Sequence, residues 1–237
     1  MPSLATRLTG SADLFTTPCQ SVNYVACHDG FTLRDLVCYE ERLNHSNGED
    51  GRDGHAHNLS RGWGAQGPEA SPEVEALRSR AQRNFLATLA LSRGIPMLGH
   101  GDELNRSQQG NNNAYCHDSP LTWMSWRIGA PEELLRAFAK RVFQIRRQHP
   151  LLRRCSFFEP ATGRGDRARW FLADGRELDQ ASWAAAQLHA LAALLEPADP
   201  VSEAPLLLLL NSGEEERGFD LPPAPASRSW QAVLDTA

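Results

Sequence analysis

The sequence predicts an α/β protein with a parallel sheet, followed by a mostly β C-terminal region. From residue 21 to 149, short apolar strands alternate with amphipathic helices, and a long polar segment follows each strand. After about Leu152, short apolar segments alternate with turns rich in glycine, proline and acidic residues. We therefore place one domain at residues 1–152 and a second, mostly β domain at residues 153–237.

The first region contains two strand–loop–helix units. Ser21–Cys27 and Ile95–Leu98 are apolar enough to be buried parallel strands. A helix is predicted from Pro72, which suits a first helical position, to Gly94, a natural C-terminal stop. A second helix begins at Pro131. Because α/β folds place their ligand sites at the carboxyl ends of strands, the polar residues after each strand are candidate site residues.

The C-terminal region has three short apolar segments, at Arg169–Leu172, Leu206–Leu210 and Ser229–Leu234, which favour β structure. One stretch differs from this pattern. Trp183–Leu195 is rich in alanine and leucine, so intrinsic propensity predicts a helix there.

Composition excludes several classes of protein. The apolar fraction of 41% is that of a folded globular chain, and a net charge of −5 provides no basic surface for nucleic acid or an anionic membrane. No apolar run approaches the roughly 18 residues of a membrane span, and the N-terminus lacks the apolar core of a secretory signal. The five cysteines include no C-x-x-C pair, so we interpret them as reduced thiols of a cytoplasmic protein.

The first candidate site follows the first strand. His28-Asp29-Gly30 has a purely structural alternative, because Asp-Gly is a common hairpin turn. We favour a functional pair that binds hydroxyl groups or stabilises developing positive charge. The reason is that Asp102 and Glu103 follow the second strand in the same way.

The polar segment after the second strand combines amide and aromatic side chains. These are Asn111, Asn112, Asn113, Tyr115 and Trp123. Amides exchange hydrogen bonds with hydroxyl groups and aromatic rings cover apolar faces, and sugars present both kinds of surface. Composition alone favours an asparagine-rich turn with core tryptophans equally well.

A metal site must be considered at residues 44–58, which carry three histidines and several acidic residues. The spacing matches neither the H-E-x-x-H motif of zinc proteases nor the calcium loop of EF-hands. We therefore predict a solvated polar loop, with no metal and no cofactor.

Four segments of this chain resemble the α-amylase superfamily of glycoside hydrolases and, within it, the glycogen debranching enzymes related to isoamylase. They are VNYVACHDGFTLRDLV (22–37), NGEDGRDG (47–54), RNFLATLALSRGIPMLGHGDE (83–103) and QGNNNAYCHDSPLTWMSW (109–126). The resemblance implies the C-terminal part of a (β/α)8 TIM barrel, namely strands 7 and 8 with their helices, followed by an all-β sandwich. It also favours a short helical turn and then a strand, instead of one helix, after Trp183.

The resemblance also implies site roles and a substrate. His28 is expected to contact the sugar at the cleavage point, and Asp29 to act as the catalytic transition-state stabiliser. Asp102, Glu103, Asn111, Asn112, Asn113, Tyr115 and Trp123 are the remaining predicted substrate-binding residues. The substrate is an α-glucan, glycogen or a limit dextrin, and the parent reaction is hydrolysis of α-1,6 branch linkages. Gly99-His100 departs from the more apolar stretch that is usual in the family.

Neither of the two carboxyl groups that retaining glycoside hydrolysis needs has a matching residue in this chain. In the resembled family they follow the fourth and fifth barrel strands. We therefore expect the chain to be inactive alone and to have a missing N-terminal barrel portion as a candidate partner. The alternatives are a non-catalytic carbohydrate-binding or assembly module, and a metal-dependent hydrolase built on the histidine- and aspartate-rich loop.

Overall fold

A computed structural model describes residues 1–160, 162–185, 188–224 and 228–237. The chain divides into two compact units. The first unit comprises Met1–Ser21, Ser92–Ile95 and Arg146–Leu234, and the second comprises Val22–Leu91, Pro96–Ile145 and Asp235–Ala237. The predicted domain boundary after residue 152 stays a prediction.

Two short strands, β1 (Val22–Asn23) and β2 (Ile95–Pro96), form a two-stranded sheet. The Ile95 amide donates to the Ser21 carbonyl, and the Met97 amide donates to the Asn23 carbonyl, each at 2.8 Å. Donor and acceptor both advance by two residues from the first bond to the second, so the two strands run in the same direction. The predicted mixed α/β structure with a parallel sheet is confirmed, although both strands are shorter than predicted.

The expectation that these strands are buried on both faces is wrong. Val22 is 50% exposed, Tyr24 57% and Met97 38%. Parallel sheets are normally covered on both faces by other elements. Two strands by themselves leave these apolar side chains outside.

Helices α2 (Leu33–Leu36) and α3 (Pro72–Leu91) lie between β1 and β2 in the sequence, and α4 (Ala130–Gln148) follows β2. Both predicted long helices are therefore present. In the second unit they share a buried cluster that consists of Leu33, Leu86, Leu135 and Ala139. This cluster fixes the start of α2, which follows directly on the predicted His28-Asp29 site.

The buried face of α3 includes polar side chains as well as apolar ones. Phe85 is 36% exposed, whereas Arg78 and Gln82 are buried. Arg78 donates to the carbonyls of Gly62 and Gly67 at 3.0 and 2.8 Å. Because these loop carbonyls accept hydrogen bonds from its guanidinium, Arg78 can be buried in α3.

The first unit contains α1 (Pro2–Leu8) and a three-stranded antiparallel sheet. Its strands β3 (Arg167–Phe171), β4 (Ala190–Glu196) and β5 (Leu206–Asn211) are arranged in the order β3-β4-β5. The two earlier predicted segments are confirmed as strands, while 229–234 forms no strand in the part of the chain that is described.

The helix predicted for Trp183–Leu195 is wrong over most of its length. Helix α5 (Gln180–Ala184) ends early, and β4 begins at Ala190; Ala186 and Gln187 lie outside the described residues. Strand β4 is paired on both sides, and this pairing overrides the helical propensity of alanine and leucine. The version with a short helical turn followed by a strand is confirmed.

The cysteines are not all reduced. Cys19 and Cys155, both in the first unit, form a disulfide with Cα atoms 5.0 Å apart. Cys27, Cys38 and Cys116 are free thiols. The interpretation of five reduced thiols is therefore wrong for one pair, whose sequence separation of 136 residues left no local signal. None of the described helices combines the length and apolar character that crossing a lipid bilayer requires.

Candidate functional site

A cleft of about 370 Å³ opens in the second unit beyond the carboxyl ends of β1 and β2. Its side-chain lining from the β1 side is Cys27, His28 and Thr32. The segment after β2 contributes polar groups, which include His100, Asp102, Arg106, Gln108, Tyr115 and Thr122. The cleft therefore lies where α/β folds place ligands.

His28 lines this cleft, and Asp29 is the next residue in the chain. The side chain of His28 is 89% exposed and that of Asp29 60% exposed, and His28 Nε2 lies 3.4 Å from Asp29 Oδ2. Neither side chain is buried in the protein core. His28 is therefore accessible to a ligand in the cleft, and Asp29 is accessible to solvent beside it.

The turn that carries this pair is held at both ends. The Gly30 amide donates to the Asn112 carbonyl at 3.0 Å, and Gly30 has a φ of +92°, a conformation that favours glycine. Beyond it, Thr32 caps α2 by accepting a hydrogen bond from the Asp35 amide at 3.1 Å. The purely structural alternative of a two-residue hairpin is wrong, because a helix follows Gly30 and not an antiparallel strand.

Asp102 is a buried carboxyl group at the base of the cleft, with 4% of its surface exposed. Its Oδ1 accepts a hydrogen bond from the Leu33 amide at 3.0 Å. Burial raises the pKa of Asp102 to about 6, although the Leu33 amide and the nearby Arg106 oppose the rise. A side chain at position 99 would place its Cβ 2.6 Å from Asp102 Oδ2. The departure at Gly99 thus gives the carboxylate room.

Arg106 forms part of the cleft wall. Its Nη2 donates to Gln108 Oε1 at 2.9 Å and to the Thr122 carbonyl at 3.3 Å. Burial lowers the pKa of Arg106, while the negative charges of Asp102 and Asp35 act in the opposite direction. The guanidinium fixes the wall of the cleft and leaves a positive charge close to Asp102.

Asn111 and Asn112 are buried, each only 1% exposed. Asn112 Nδ2 donates to Asn58 Oδ1 at 2.6 Å and to the His55 carbonyl at 2.9 Å. The Asn112 side-chain oxygen accepts from Asn44 Nδ2 at 2.8 Å. The asparagines therefore join the two long polar loops to each other.

Asp53 is the acceptor at the centre of the same network. Its Oδ2 accepts from Asn47 Nδ2 at 2.7 Å and from Asn113 Nδ2 at 2.8 Å. These hydrogen bonds lower the pKa of Asp53. Asn111 Nδ2 donates to Asn47 Oδ1 at 2.6 Å. The polar loop at residues 44–58 is thus used as a scaffold for the loop that follows β2.

Aromatic side chains stand on the outer part of the loop after β2. Tyr115 is 78% exposed and Trp123 58%. Trp123 Nε1 donates to Asp118 Oδ1 at 2.8 Å, which orients the indole. Trp126 is also 78% exposed. The alternative of core tryptophans is therefore wrong for both indoles of this segment.

The described ranges contain no group of three or more histidine, cysteine, aspartate or glutamate side chains placed to hold a metal ion. The histidines of the polar loop are instead dispersed. His45 stands in a short 3-10 turn, and His55 provides only its main-chain carbonyl to the asparagine network.

The structure brings together only part of the predicted set. His28, Asp102 and Tyr115 line the cleft. Asp29, Glu103, Trp123 and the three asparagines are absent from the lining that the described residues form. The substrate-binding roles stay predictions for all of them, as does the catalytic role of Asp29.

Sequence reasoning missed Thr32, Arg106 and Gln108, which also line the cleft. Each lies within ten residues of a predicted site residue. Their closeness in sequence to the predicted site residues was the available signal. A loop has no regular periodicity, so the sequence does not show which of its side chains point into a cleft.

Comparison with curated proteins shows what this chain resembles over almost its full length. It is 39% identical over 249 residues to the "Glycogen operon protein GlgX homolog" of Mycobacterium tuberculosis, covering 98% of this chain and 34% of that protein. It is 38% identical over 233 residues to the "Glycogen debranching enzyme" of Erwinia tasmaniensis, covering 97% of this chain and 33% of that protein. The chain is a homologue of glycogen debranching enzymes. It spans about a third of the length of these relatives.

Two further similarities agree with this assignment. Residues 167–237 match the family described as "Isoamylase, C-terminal". Among solved structures, the type I pullulanase of Bacillus subtilis, crystallised with maltose, is similar with a TM-score of 0.56 and 19% identity over 89% of this chain and 24% of that one. At this level of identity the structural similarity indicates a shared fold only. The resemblance read from the four sequence motifs is confirmed.

Proposed function

We propose that this chain forms the glucan-contacting C-terminal part of an α-1,6-glucosidase that debranches glycogen. In this proposal β1 and β2 are the seventh and eighth strands of a (β/α)8 barrel, and residues 153–237 form a β-sandwich domain. The cleft at the carboxyl ends of β1 and β2, which His28 lines with Asp29 3.4 Å from its ring, is the observation that carries the proposal.

The side chains around the cleft have roles that follow from their chemistry. His28 donates or accepts a hydrogen bond at a sugar hydroxyl, and the exposed ring of Tyr115 covers an apolar sugar face. Asp29, as a carboxylate, stabilises the positive charge of an oxocarbenium-like transition state.

The nucleophile and the general acid belong to other parts of the parent enzyme in this proposal. Retaining hydrolysis needs two carboxyl groups about 5–5.5 Å apart. Asp29 is a third, supporting carboxylate and replaces neither. The 237-residue chain is therefore proposed to bind α-glucan without cleaving it.

Affinity electrophoresis of the purified chain in gels that contain glycogen tests the binding. We expect retardation by glycogen and a clear decrease of it in His28→Ala and Asp29→Asn. Glu133→Gln, an exposed change on α4, is the control and should migrate as the parent chain does. A chain that migrates equally with and without glycogen would contradict the proposal.

Release of linear glucans from glycogen tests the second half of the proposal. We expect none from the chain alone. Turnover that is lost in Asp29→Ala would show that the chain carries its own complete chemistry, and would overturn the assignment of a supporting role.

A second candidate is a non-catalytic module that keeps the sugar-contacting loops and docks with a partner supplying the rest of a barrel. The apolar side chains Val22, Tyr24 and Met97, which β1 and β2 leave exposed, favour it. Restoration of debranching on mixing with a separately produced N-terminal barrel portion would support this candidate, and a lack of any association would exclude it.

The cytoplasmic location stays a proposal, and the Cys19–Cys155 disulfide removes the reduced-thiol argument for it.

A further inference from the structure

The segment after β1 is held by the loop after β2 through groups that differ in chemistry. At Gly30 the acceptor is the main-chain carbonyl of Asn112, at 3.0 Å. At Leu33 the acceptor is the side-chain carboxylate of Asp102, also at 3.0 Å. Only the second of these contacts can change its charge.

A second buried carboxylate, that of Asp35, belongs to α2 itself. Asp35 is fully buried, and it accepts from the Ser107 hydroxyl at 2.5 Å and from the Gln108 amide at 2.8 Å. Both of its oxygens are thus occupied inside the protein. Asp102 differs because it lines the cleft as well as contacting α2.

We propose that Asp102 is a positioning residue, whose carboxylate holds the Leu33 amide and thereby fixes the turn that carries His28 and Asp29. The inference rests on the glucan-binding function proposed above. It gives Asp102 a role that acts through the loop after β1 and requires no contact with the sugar.

The Leu33 amide, which Asp102 holds, is close in the chain to His28 and Asp29. Leu33 is the first residue of α2 and follows Asp29 by four positions. A carboxylate bound to an amide is a charge-assisted hydrogen bond, which is about twice as strong as a neutral one. The absence of a Cβ at Gly99 leaves space for Asp102 Oδ2 in this position.

Protonation of Asp102 should therefore loosen the turn. The charged groups that act on it are Arg106 and Glu103, both in its own loop. His28 and His100 line the same cleft. Because burial raises the pKa of Asp102 to about 6, its ionisation can be varied under conditions in which ordinary carboxylates stay charged.

Amide resonances measured by NMR test the positioning role without any ligand. In the parent chain we expect the Asp29 and Gly30 amide signals to titrate with a midpoint near pH 6. In Asp102→Asn this titration should be lost. An unchanged titration in Asp102→Asn would overturn the proposal.

Glycogen affinity and stability, measured on the same samples, separate positioning from a merely structural role. At pH 7.5 we expect Asp102→Asn to bind glycogen about fivefold more weakly, the factor for replacing a charge-assisted bond with a neutral one. Its urea midpoint should not be lower than that of the parent, because a buried charge has been removed. Asp102→Ala, which lacks the acceptor altogether, should bind more weakly still.

Three outcomes are informative. Unchanged glycogen affinity in Asp102→Asn would overturn the proposal, and so would a loss of affinity that parallels a loss of stability. A parent chain that shows the pH-dependent amide signals but no retardation by glycogen would support the positioning role and remove the proposed glucan function. Glu133→Gln serves again as the control.

Discussion

The main-chain amide of Gly30 donates a hydrogen bond of 3.0 Å to the main-chain carbonyl of Asn112. The side chain of Asn112 is in turn held by Asn44 and Asn58 at 2.8 and 2.6 Å. The turn that carries His28 and Asp29 is therefore only as well ordered as the asparagine network behind it. Changes in that network should be visible in stability before any ligand is added.

Two glycines of the polar loop provide a matched test of this network. Gly54 and Gly48 have similar φ values of +75° and +82°. A Cβ at Gly54 would lie 2.3 Å from Asn112 Oδ1 and 2.7 Å from Asn44 Nδ2, whereas one at Gly48 would meet nothing within 4 Å. Gly48→Ala should cost about 1–2 kcal/mol through its left-handed backbone alone.

Gly54→Ala should cost more, about 2–4 kcal/mol, because overpacking of the network adds to the same backbone penalty. Urea denaturation of both variants measures the difference. Equal losses of unfolding free energy would mean that the network does not resist displacement at residue 54.

Asp102 should make the stability of the chain depend on pH in a defined direction. Its pKa is raised from 3.8 to about 6, so the folded state favours the protonated form. The stabilisation from protonation is complete below about pH 4 and is lost as the pH rises to about 6. A shift of this size corresponds to about 3 kcal/mol at most, since one pKa unit is worth about 1.4 kcal/mol.

Asp102→Asn should lack this component and should therefore be more stable than the parent chain at pH 7.5. The difference in unfolding free energy between the two proteins should shrink as the pH falls from 6 to 4. Urea denaturation at several pH values measures it. A parent chain that gains stability relative to the variant as the pH rises would show that the charged form is the favoured one.

The α/β order was accessible from sequence, as was the location of polar residues after both strands, because local signals carry these features. Pro72 and Gly94 delimit α3 within a few residues, and polar residues follow both strands. The resemblance of the four motifs then identified the family. These features depend on neighbours in the chain, which a sequence displays directly.

Features that depend on distant residues were not accessible. Strand β4 has the composition of a helix and is a strand because β3 and β5 pair with it. The substrate-binding role of Asn112 stays a prediction, and its side chain is 1% exposed within a network formed by residues more than fifty positions away. Amides suit hydroxyl ligands and loop scaffolds equally well, so composition cannot distinguish the two.

The ion pair of Arg93 with Asp166 should be the most sensitive electrostatic contact of the first unit. Arg93 Nη2 lies 2.5 Å from Asp166 Oδ2, and both side chains are almost fully buried. Burial alone would raise the pKa of Asp166, but hydrogen bonds from Arg154, the Ala198 amide and Arg93 lower it below its ordinary value. The carboxylate thus contributes stability at neutral pH that is lost as the pH falls through its lowered pKa.

Asp166→Ala should cost about 3–5 kcal/mol, because it removes the buried carboxylate that balances the charge of the Arg93 guanidinium. The exposed pair of Arg176 with Asp174, at 2.8 Å, is the matched control. Asp174→Ala should leave the unfolding free energy almost unchanged, because exposed ion pairs contribute little. Urea denaturation at pH 7 distinguishes the two, and similar costs would contradict a special role for the buried pair.

The disulfide between Cys19 and Cys155 should stabilise the first unit, because it closes a loop of 136 residues. Cross-links that close loops of this length reduce the entropy of the unfolded chain, and their loss typically costs about 2–5 kcal/mol. Cys155→Ser should therefore lower the urea midpoint of the chain. Cys116→Ser, which changes an exposed free thiol, should leave it unaltered.

Counting thiols in the unfolded protein identifies the pair directly. Without reductant, three thiols should react, those of Cys27, Cys38 and Cys116, and after reduction all five cysteines should react. A reductant should lower the urea midpoint of the parent chain to that of Cys155→Ser and should have no further effect on the variant. Five reactive thiols before reduction would show that the two sulfurs are not joined, and the difference between Cys155→Ser and Cys116→Ser should then vanish.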